Sequence, residues 1–300
     1  MVDEVRSGFV ALVGRPNSGK STLVNAVVGS KVAITSDMPQ TTRHRLRAIL
    51  DRDDAQVVFV DTPGLHKPHD ALGEELNRSA LLAAADVDVL CLVIDATKPV
   101  GRGDEWVAQH VAVSSAKRVL VLTKADIATP EQVNRQLETA RPLAQFDDEV
   151  VLSAVEAFNV DGFANVVVRL LPRGPRYFPR DMRTDQPIEV IIAEFVREKV
   201  IRATSQEVPH AVGVVVEDLE WDDRADIARI RAVIYVERDS QKGIIIGAGG
   251  EMIKRVGMEA REDLERLLGR HVFLDLRVKV KKDWRRDATQ IRRFGYGEGL

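Results

Sequence analysis

The octapeptide Gly14-Arg15-Pro16-Asn17-Ser18-Gly19-Lys20-Ser21, set directly after the β-branched run 9–13, constrains this chain more than any other segment. It fits G-x-x-x-x-G-K-[ST], a loop whose glycines let backbone N–H groups curl around phosphate oxygens. The helix that follows, starting near Lys20, points its positive dipole end at the same anion. Strand, loop and helix in that order make residues Gly14 to Ser21, with Thr22, candidate nucleotide-binding residues. Lys20 is placed to reach the β- and γ-phosphates. The Ser21 hydroxyl is placed to ligate Mg²⁺, which takes few protein oxygens and keeps several waters.

Apolar runs of strand length recur at 57–60, 89–94, 119–122 and 150–152, separated by amphipathic segments. That alternation predicts an α/β domain: a mostly parallel sheet with helices on both faces and 46–50 as an edge strand. Three prolines and a glycine within 172–179 forbid regular structure there. The expected organisation is a first domain over 1–172, a linker over 173–186 and a second domain over 187–300. In the second, 188–203 and 251–268 have helical periodicity, and 211–216, 230–236 and 271–280 alternate as strands, giving a small α+β unit. The acidic stretch 217–223 reads as a solvated hairpin loop, and 279–286 as a basic tail carrying one aromatic.

Composition supports a soluble protein: 45% of residues are hydrophobic and 30% charged, which excludes a disordered or low-complexity chain. The longest apolar stretches fall far short of the ~20 residues that span a bilayer. No signal pattern opens the chain, and the single Cys91 has no partner for an internal disulfide, so a cytoplasmic location is expected. The net charge of −3 hides an asymmetry, because 242–293 carries 14 basic and 8 acidic residues. Such an excess suits a polyanion partner, although a solvated helix face accounts for it equally well. The six histidines lack the spacing of a zinc site, and no G-x-S-x-G marks a serine hydrolase.

Further segments narrow the nucleotide. Asp61-Thr62-Pro63-Gly64 follows the 57–60 strand, which puts the Asp61 carboxylate at the sheet's carboxyl edge, acting on Mg²⁺ through a bound water. The Gly64 N–H is placed to sense the γ-phosphate. Thr123-Lys124-Ala125-Asp126 follows the 119–122 strand and is similar to the N-K-x-D guanine motif. A carboxylate at 126 can accept from guanine N1–H and the 2-amino group, donors that adenine does not present together. Ser153-Ala154 after the last strand offers a backbone N–H to the guanine carbonyl. In the polar stretch Gln40-Thr41-Thr42-Arg43, Thr42 is preferred over Thr41 to complete the Mg²⁺ shell and touch the γ-phosphate.

With Gly14-Arg15-Pro16-Asn17, Gln40-Thr41-Thr42-Arg43-His44-Arg45 and Asp61-Thr62-Pro63-Gly64-Leu65-His66 in hand, nearly the entire chain resembles the Era family of bacterial GTPases. The resemblance implies a P-loop GTPase domain followed by a type II KH domain. It also implies GTP and GDP as ligands, Mg²⁺ as cofactor, and binding near the 3′ end of 16S ribosomal RNA in assembly of the 30S subunit. Lys20, Thr42 and Gly64 are the expected catalytic set. Thr123 stands where the family usually has Asn, which weakens contacts to base and phosphate loop. Leu65 stands where many small GTPases carry a water-orienting Gln, so slow intrinsic hydrolysis is expected. Asn17 occupies the position at which some related GTPases hold K⁺, a cation that can substitute for an arginine finger.

The second domain carries Gly247-Ala248-Gly249-Gly250 before a helix, a G-x-x-G match that lets a nucleic-acid backbone approach closely. A dinucleotide fingerprint is excluded, since Met252 falls where the third glycine belongs. The order of elements fits a type II KH fold, so these four residues, Lys254, Arg255, Lys281 and Lys282 are the RNA-binding candidates. Residues 244–246 and Ile253 suit an apolar groove floor or an ordinary core. No transmembrane segment is expected in this chain, and a monomer is expected. Peripheral association of the basic tail with the inner face of the cell membrane is the alternative to RNA.

Overall fold

A computed structural model describes residues 5–36, 38, 41–206 and 208–296. Gln40 of the Gln40–Arg45 stretch lies outside the described residues. The chain divides into two compact units: the first takes the residues up to Asp185 except Asp70–Leu72, and the second takes Asp70–Leu72 and the residues from Gln186.

The first unit contains β1 (Val5–Val13), α1 (Lys20–Val28), β2 (Leu46–Asp51), β3 (Ala55–Asp61), α2 (Ala71–Ala85), β4 (Val89–Asp95), α3 (Arg102–Ala112), β5 (Lys117–Thr123), α4 (Pro130–Ala140), β6 (Asp148–Val151), α5 (Val160–Leu170) and β7 (Arg173–Gly174). One sheet orders them β2-β3-β1-β4-β5-β6, with β7 on β1. Strands β3, β1, β4, β5 and β6 run parallel, and β2 closes the edge antiparallel to β3. Alternation along β1 divides the core. Val10 and Leu12 pack with Leu23 and Val27 of α1 and with Phe163 and Val167 of α5. Ala11 and Val13 belong with Val107 and Val111 of α3 and Ala80 of α2. Both faces are therefore covered, which is why β3 and β4 are buried throughout and read as unbroken apolar runs. Since these strands are parallel, the residues following β1, β3, β4, β5 and β6 all emerge at one edge.

Residues 173–185, expected as a linker, are fastened to the first unit. The buried Gln56 carboxamide accepts from the N–H groups of Tyr177 (2.7 Å) and Phe178 (2.9 Å) and donates to the Phe178 carbonyl (2.9 Å). Further on, the Thr184 hydroxyl donates to the Arg47 carbonyl and the Ile49 N–H to the Arg183 carbonyl. A buried amide must find partners, and this segment supplies them.

The second unit contains α6 (Ile188–Ala203), α7 (Val208–Ala211), β8 (Gly213–Asp222), β9 (Ile227–Val236), α8 (Asp239–Ile246), α9 (Glu251–Leu268), β10 (His271–Val280) and α10 (Ala288–Arg293). Its sheet has the order β10-β9-β8, with β9 and β10 parallel and β8 antiparallel to β9. Val196 and Val200 of α6 and Val256 and Ala260 of α9 pack on Ile234 and Val236 of β9.

Two expectations are corrected here. The acidic stretch 217–223 is not a hairpin loop, because β8 continues through Asp222 after a bulge at 216–218. Basic residues of β9 and β10 pair with part of it: Arg231 with Asp218, Arg229 with Asp222 and Lys279 with Glu217. The C-terminal stretch is a folded cap and not a tail. Trp284 is fully buried, its indole N–H donates to the Ala211 carbonyl at 2.9 Å, and its ring lies 4.9 Å from that of Phe294.

Candidate functional site

The loop after β1 is shaped by crowding. A Cβ on Gly14 would lie 2.4 Å from the Val93 carbonyl oxygen, and Gly19 opens α1 at φ +91°. Both positions therefore need glycine. Asn17 also takes a left-handed conformation, at φ 63°. Lys20 is buried, and its ammonium donates to the carbonyls of Gly14 (3.2 Å) and Arg15 (2.9 Å). Burial pushes the Lys20 pKa down to about 8, opposed by the Asp61 carboxylate.

Three oxygens from separate elements meet beside it. The Ser21 hydroxyl donates to Asp61 Oδ2 at 2.6 Å and lies 2.8 Å from the Thr42 hydroxyl, which is 3.5 Å from the same carboxylate oxygen. Thr41 points elsewhere, donating to the Met38 carbonyl at 2.6 Å. Burial raises the Asp61 pKa, while the Ser21 hydrogen bond, Lys20 and Thr42 oppose the rise. Among the described residues no hydrogen-bond partner meets the buried Asp61 Oδ1. A buried carboxylate oxygen left over beside two hydroxyls is a donor set suited to a hard cation such as Mg²⁺.

The segment after β3 closes against the loop. Thr62 donates to the Leu12 carbonyl, Pro63 is buried, and a Cβ on Gly64 would lie 2.6 Å from Pro16 Cα. The Leu65 N–H donates to the Gly14 carbonyl, and the Leu65 side chain is buried. Asn77 of α2 brackets His66, accepting from its N–H and donating to its carbonyl. The cleft above is lined by Pro16, Asn17, Gly19 to Thr22, Thr41, Thr42, Gly64 and Lys124. Ile34, Thr35 and Ser36 line it too, and the sequence pattern did not single them out.

On the other side, the Thr123 hydroxyl donates to the Ser18 carbonyl at 2.7 Å, tying the end of β5 to the phosphate loop. Lys124 pairs with Asp95 at 2.8 Å. Burial works against charge on Asp95, yet hydrogen bonds from Lys124 and Thr97 outweigh it and hold the carboxyl below its ordinary range. Asp95 escaped the sequence reading; its signal was a carboxylate ending the apolar run of β4. Asp126 is exposed, with no ion pair among the described residues. The Ala125 N–H bonds to the Leu152 carbonyl, which brings this turn beside Ser153 and Ala154. The Ser153 N–H is already spent on the Phe158 carbonyl.

In the second unit, Gly247, Gly249 and Gly250 all have positive φ, from 58° to 82°. A Cβ on Gly249 or Gly250 would meet nothing within 4 Å, so backbone angle and not crowding demands glycine there. The loop is thus open to an approaching chain. Lys254 and Arg255 are exposed on the first turns of α9. Of the three isoleucines, Ile245 is core and Ile244 is 47% exposed. Lys282 is exposed and Lys281 half-buried.

Residues 9–124 match the family described as 50S ribosome-binding GTPase, and residues 207–285 match the KH domain family. GTPase Era of Staphylococcus epidermidis is 44% identical over 295 residues, covering 98% of either chain. Among solved structures, a point variant of Aquifex aeolicus Era bound to GDP and AlF4⁻ superposes with a TM-score of 0.94 at 36% identity, over 98% of this chain and 100% of its own. Era in complex with MgGDPNP and nucleotides 1506–1542 of 16S ribosomal RNA gives 0.93 at 36% identity, over 98% and 99%.

Proposed function

The chain belongs to the Era family of GTPases, and from that premise we propose that its GTP hydrolysis switches an RNA contact made by the KH domain near the 3′ end of 16S ribosomal RNA, in assembly of the small ribosomal subunit. The observation that carries the nucleotide half is the convergence of Lys20, Ser21, Thr42 and Asp61 at one sheet edge.

In hydrolysis a water attacks the γ-phosphorus, the bond to the β–γ bridging oxygen breaks, and GDP and phosphate leave. Lys20 neutralises charge on the β- and γ-oxygens. Ser21, Thr42 and Asp61, the last through a water, would hold Mg²⁺, which supplies further positive charge to those oxygens when bound. Buried and aliphatic, Leu65 orients no water, so backbone donors and the fixed charges carry the reaction and its intrinsic rate is slow. Thr42 and Gly64 sit on different segments that each meet the γ-phosphate, and loss of that group releases both. Asp126 reads the guanine edge, Lys124 is held by Asp95, and Thr123 secures the loop. Asn17 is the candidate to hold K⁺ near the phosphates; equal hydrolysis rates in K⁺ and Na⁺ would remove that role.

The GxxG loop supplies the RNA half. Gly247 to Gly250 admit a phosphate backbone, Lys254 and Arg255 flank it, and Lys281 and Lys282 add charge. The test is anisotropy of a single-stranded copy of the 16S 3′ end with the full chain, at two salt concentrations, beside a scrambled RNA and a Gly249→Asp variant. Tight, sequence-dependent binding lost in the variant supports the reading. Equal weak binding to both RNAs, unchanged in the variant, sinks it, and binding to anionic vesicles that survives RNase would then favour a membrane surface. For the base, competition among GTP, ATP and XTP should shift toward XTP in Asp126→Asn.

A further inference from the structure

Arg15 lies inside the phosphate loop, yet its side chain turns away from the cleft. Its guanidinium meets the Asp104 carboxylate at 3.0 Å, at the first turn of α3. That carboxylate is nearly buried and is itself fixed, because the same oxygen accepts from the Gly101 N–H at 3.1 Å. The neighbouring residue makes room. A Cβ on Gly103 would fall 3.1 Å from both Cδ and Nε of Arg15. The α3 terminus thus has a carboxylate and a missing side chain where the arginine lies.

The backbone of Arg15 faces the opposite way. Its carbonyl accepts from Lys20 at 2.9 Å and from the Ser18 N–H at 3.3 Å. Arg15 therefore spans from Asp104 on one side to the lysine ammonium on the other. We infer that Asp104 is a positioning residue for GTP hydrolysis: by anchoring the Arg15 side chain it fixes the carbonyl that aims Lys20. Asp104 belongs to none of the nucleotide motifs, and the inference rests on the reading that Lys20 meets the phosphates.

A displaced ammonium weakens charge neutralisation most where negative charge is greatest, so kcat should suffer at saturating GTP. The experiment uses the full chain and reads kcat for Mg·GTP hydrolysis, Kd for GDP and the thermal midpoint without nucleotide. It compares Arg15→Met, the near-isosteric Asp104→Asn, their double variant, Arg15→Lys and Lys20→Met. Each of the first two should lose about tenfold in kcat, since small misplacements of catalytic groups cost up to about 100-fold. The double variant should be no slower than the slower single one, because both break one link. Arg15→Lys should restore most of the rate, which lost packing alone would not allow. Single variants within about twofold of the parent, losses that multiply, or a lowered midpoint with kcat intact would each overturn the inference. Lys20→Met separates the premise: if it hydrolyses GTP at the parent rate, the reading of Lys20 fails and the inference falls with it. A dead Lys20→Met beside unaffected Arg15 and Asp104 variants sinks the inference alone.

Discussion

Ser21 Oγ and Asp61 Oδ2 stand 2.6 Å apart, and the other oxygen of that carboxylate is buried with no hydrogen bond among the described residues. The hydroxyl proton offsets part of the charge on a carboxylate whose burial disfavours ionisation. A divalent cation bound between them does the same more completely. Asp61→Asn should therefore raise the Mg²⁺ concentration for half-maximal hydrolysis by about 10-fold or more, in the range seen when an outer-shell ligand partner is lost. GDP binding without Mg²⁺ should change little. An unaltered Mg²⁺ titration would remove Asp61 from the metal site.

The burial of Lys20 gives a pH dependence of definite sign. Its pKa is about 8 in the folded, nucleotide-free protein against an ordinary 10.5. Between those values the unfolded chain binds more protons, so stability rises with pH, at most by about 1.4 kcal/mol per pH unit from this group. Below about 8 the cost of burying the charge is fully present. Phosphate favours the charged form, so GDP binding near pH 8 to 9 should take up protons. Calorimetry in buffers of differing ionisation enthalpy measures the uptake, with Lys20→Met as reference. Zero uptake in the parent would show that the ammonium is already fully charged.

Most of the candidate nucleotide site was legible because the motifs at 14–21, 61–64, 123–126 and 153–154 each follow an apolar run, and a parallel sheet brings such positions to one edge. Thr42 against Thr41 was a choice of position, and the structure puts the Thr42 hydroxyl in the cluster and the Thr41 hydroxyl on a backbone carbonyl. What could not be read were partnerships across the fold. Asp95 with Lys124, Asp104 with Arg15, and Gln56 with residues 177–178 join positions far apart in sequence, which local periodicity does not encode. The acidic stretch 217–223 is solvated as read, with Glu217, Glu220 and Asp223 exposed; what its composition hid is that it pairs with β9 as far as Asp222 and is strand, not loop.

Trp284 was part of a charged stretch in the sequence and is a core residue in the fold. Its ring lies within 6 Å of both Phe294 and Tyr296, and Phe294 in turn stacks on Tyr235 of β9. Trp284→Ala should cost roughly 3–5 kcal/mol, the usual loss for truncating a buried large aromatic. Gly213 is the flat seat for Phe294, since a Cβ there would come within 3.0 Å of the ring. Gly213→Ala should cost about 1–3 kcal/mol through overpacking. Denaturant unfolding checks both, and losses below about 1 kcal/mol would mean the cap is loosely held.

Ion pairing divides the cations of the second unit into two sets. On the sheet, Arg229, Arg231 and Arg277 each face a carboxylate, and Lys279 is bonded to Glu217. Lys282, Arg286, Arg292 and Arg293 are exposed and have no ion pair among the described residues. Counterion release counts only charges that phosphate neutralises, with a slope near 0.7 per contact on a single strand. Replacing these four by Gln should flatten the plot of log affinity against log salt by up to about 3, at unchanged sequence preference. Replacing the paired Arg229, Arg231 and Arg277 should leave the slope within about 1, because each already has its counter-charge. A slope left unchanged by replacing the four would show that the cap makes no phosphate contact, leaving affinity to the GxxG loop and Lys254 and Arg255.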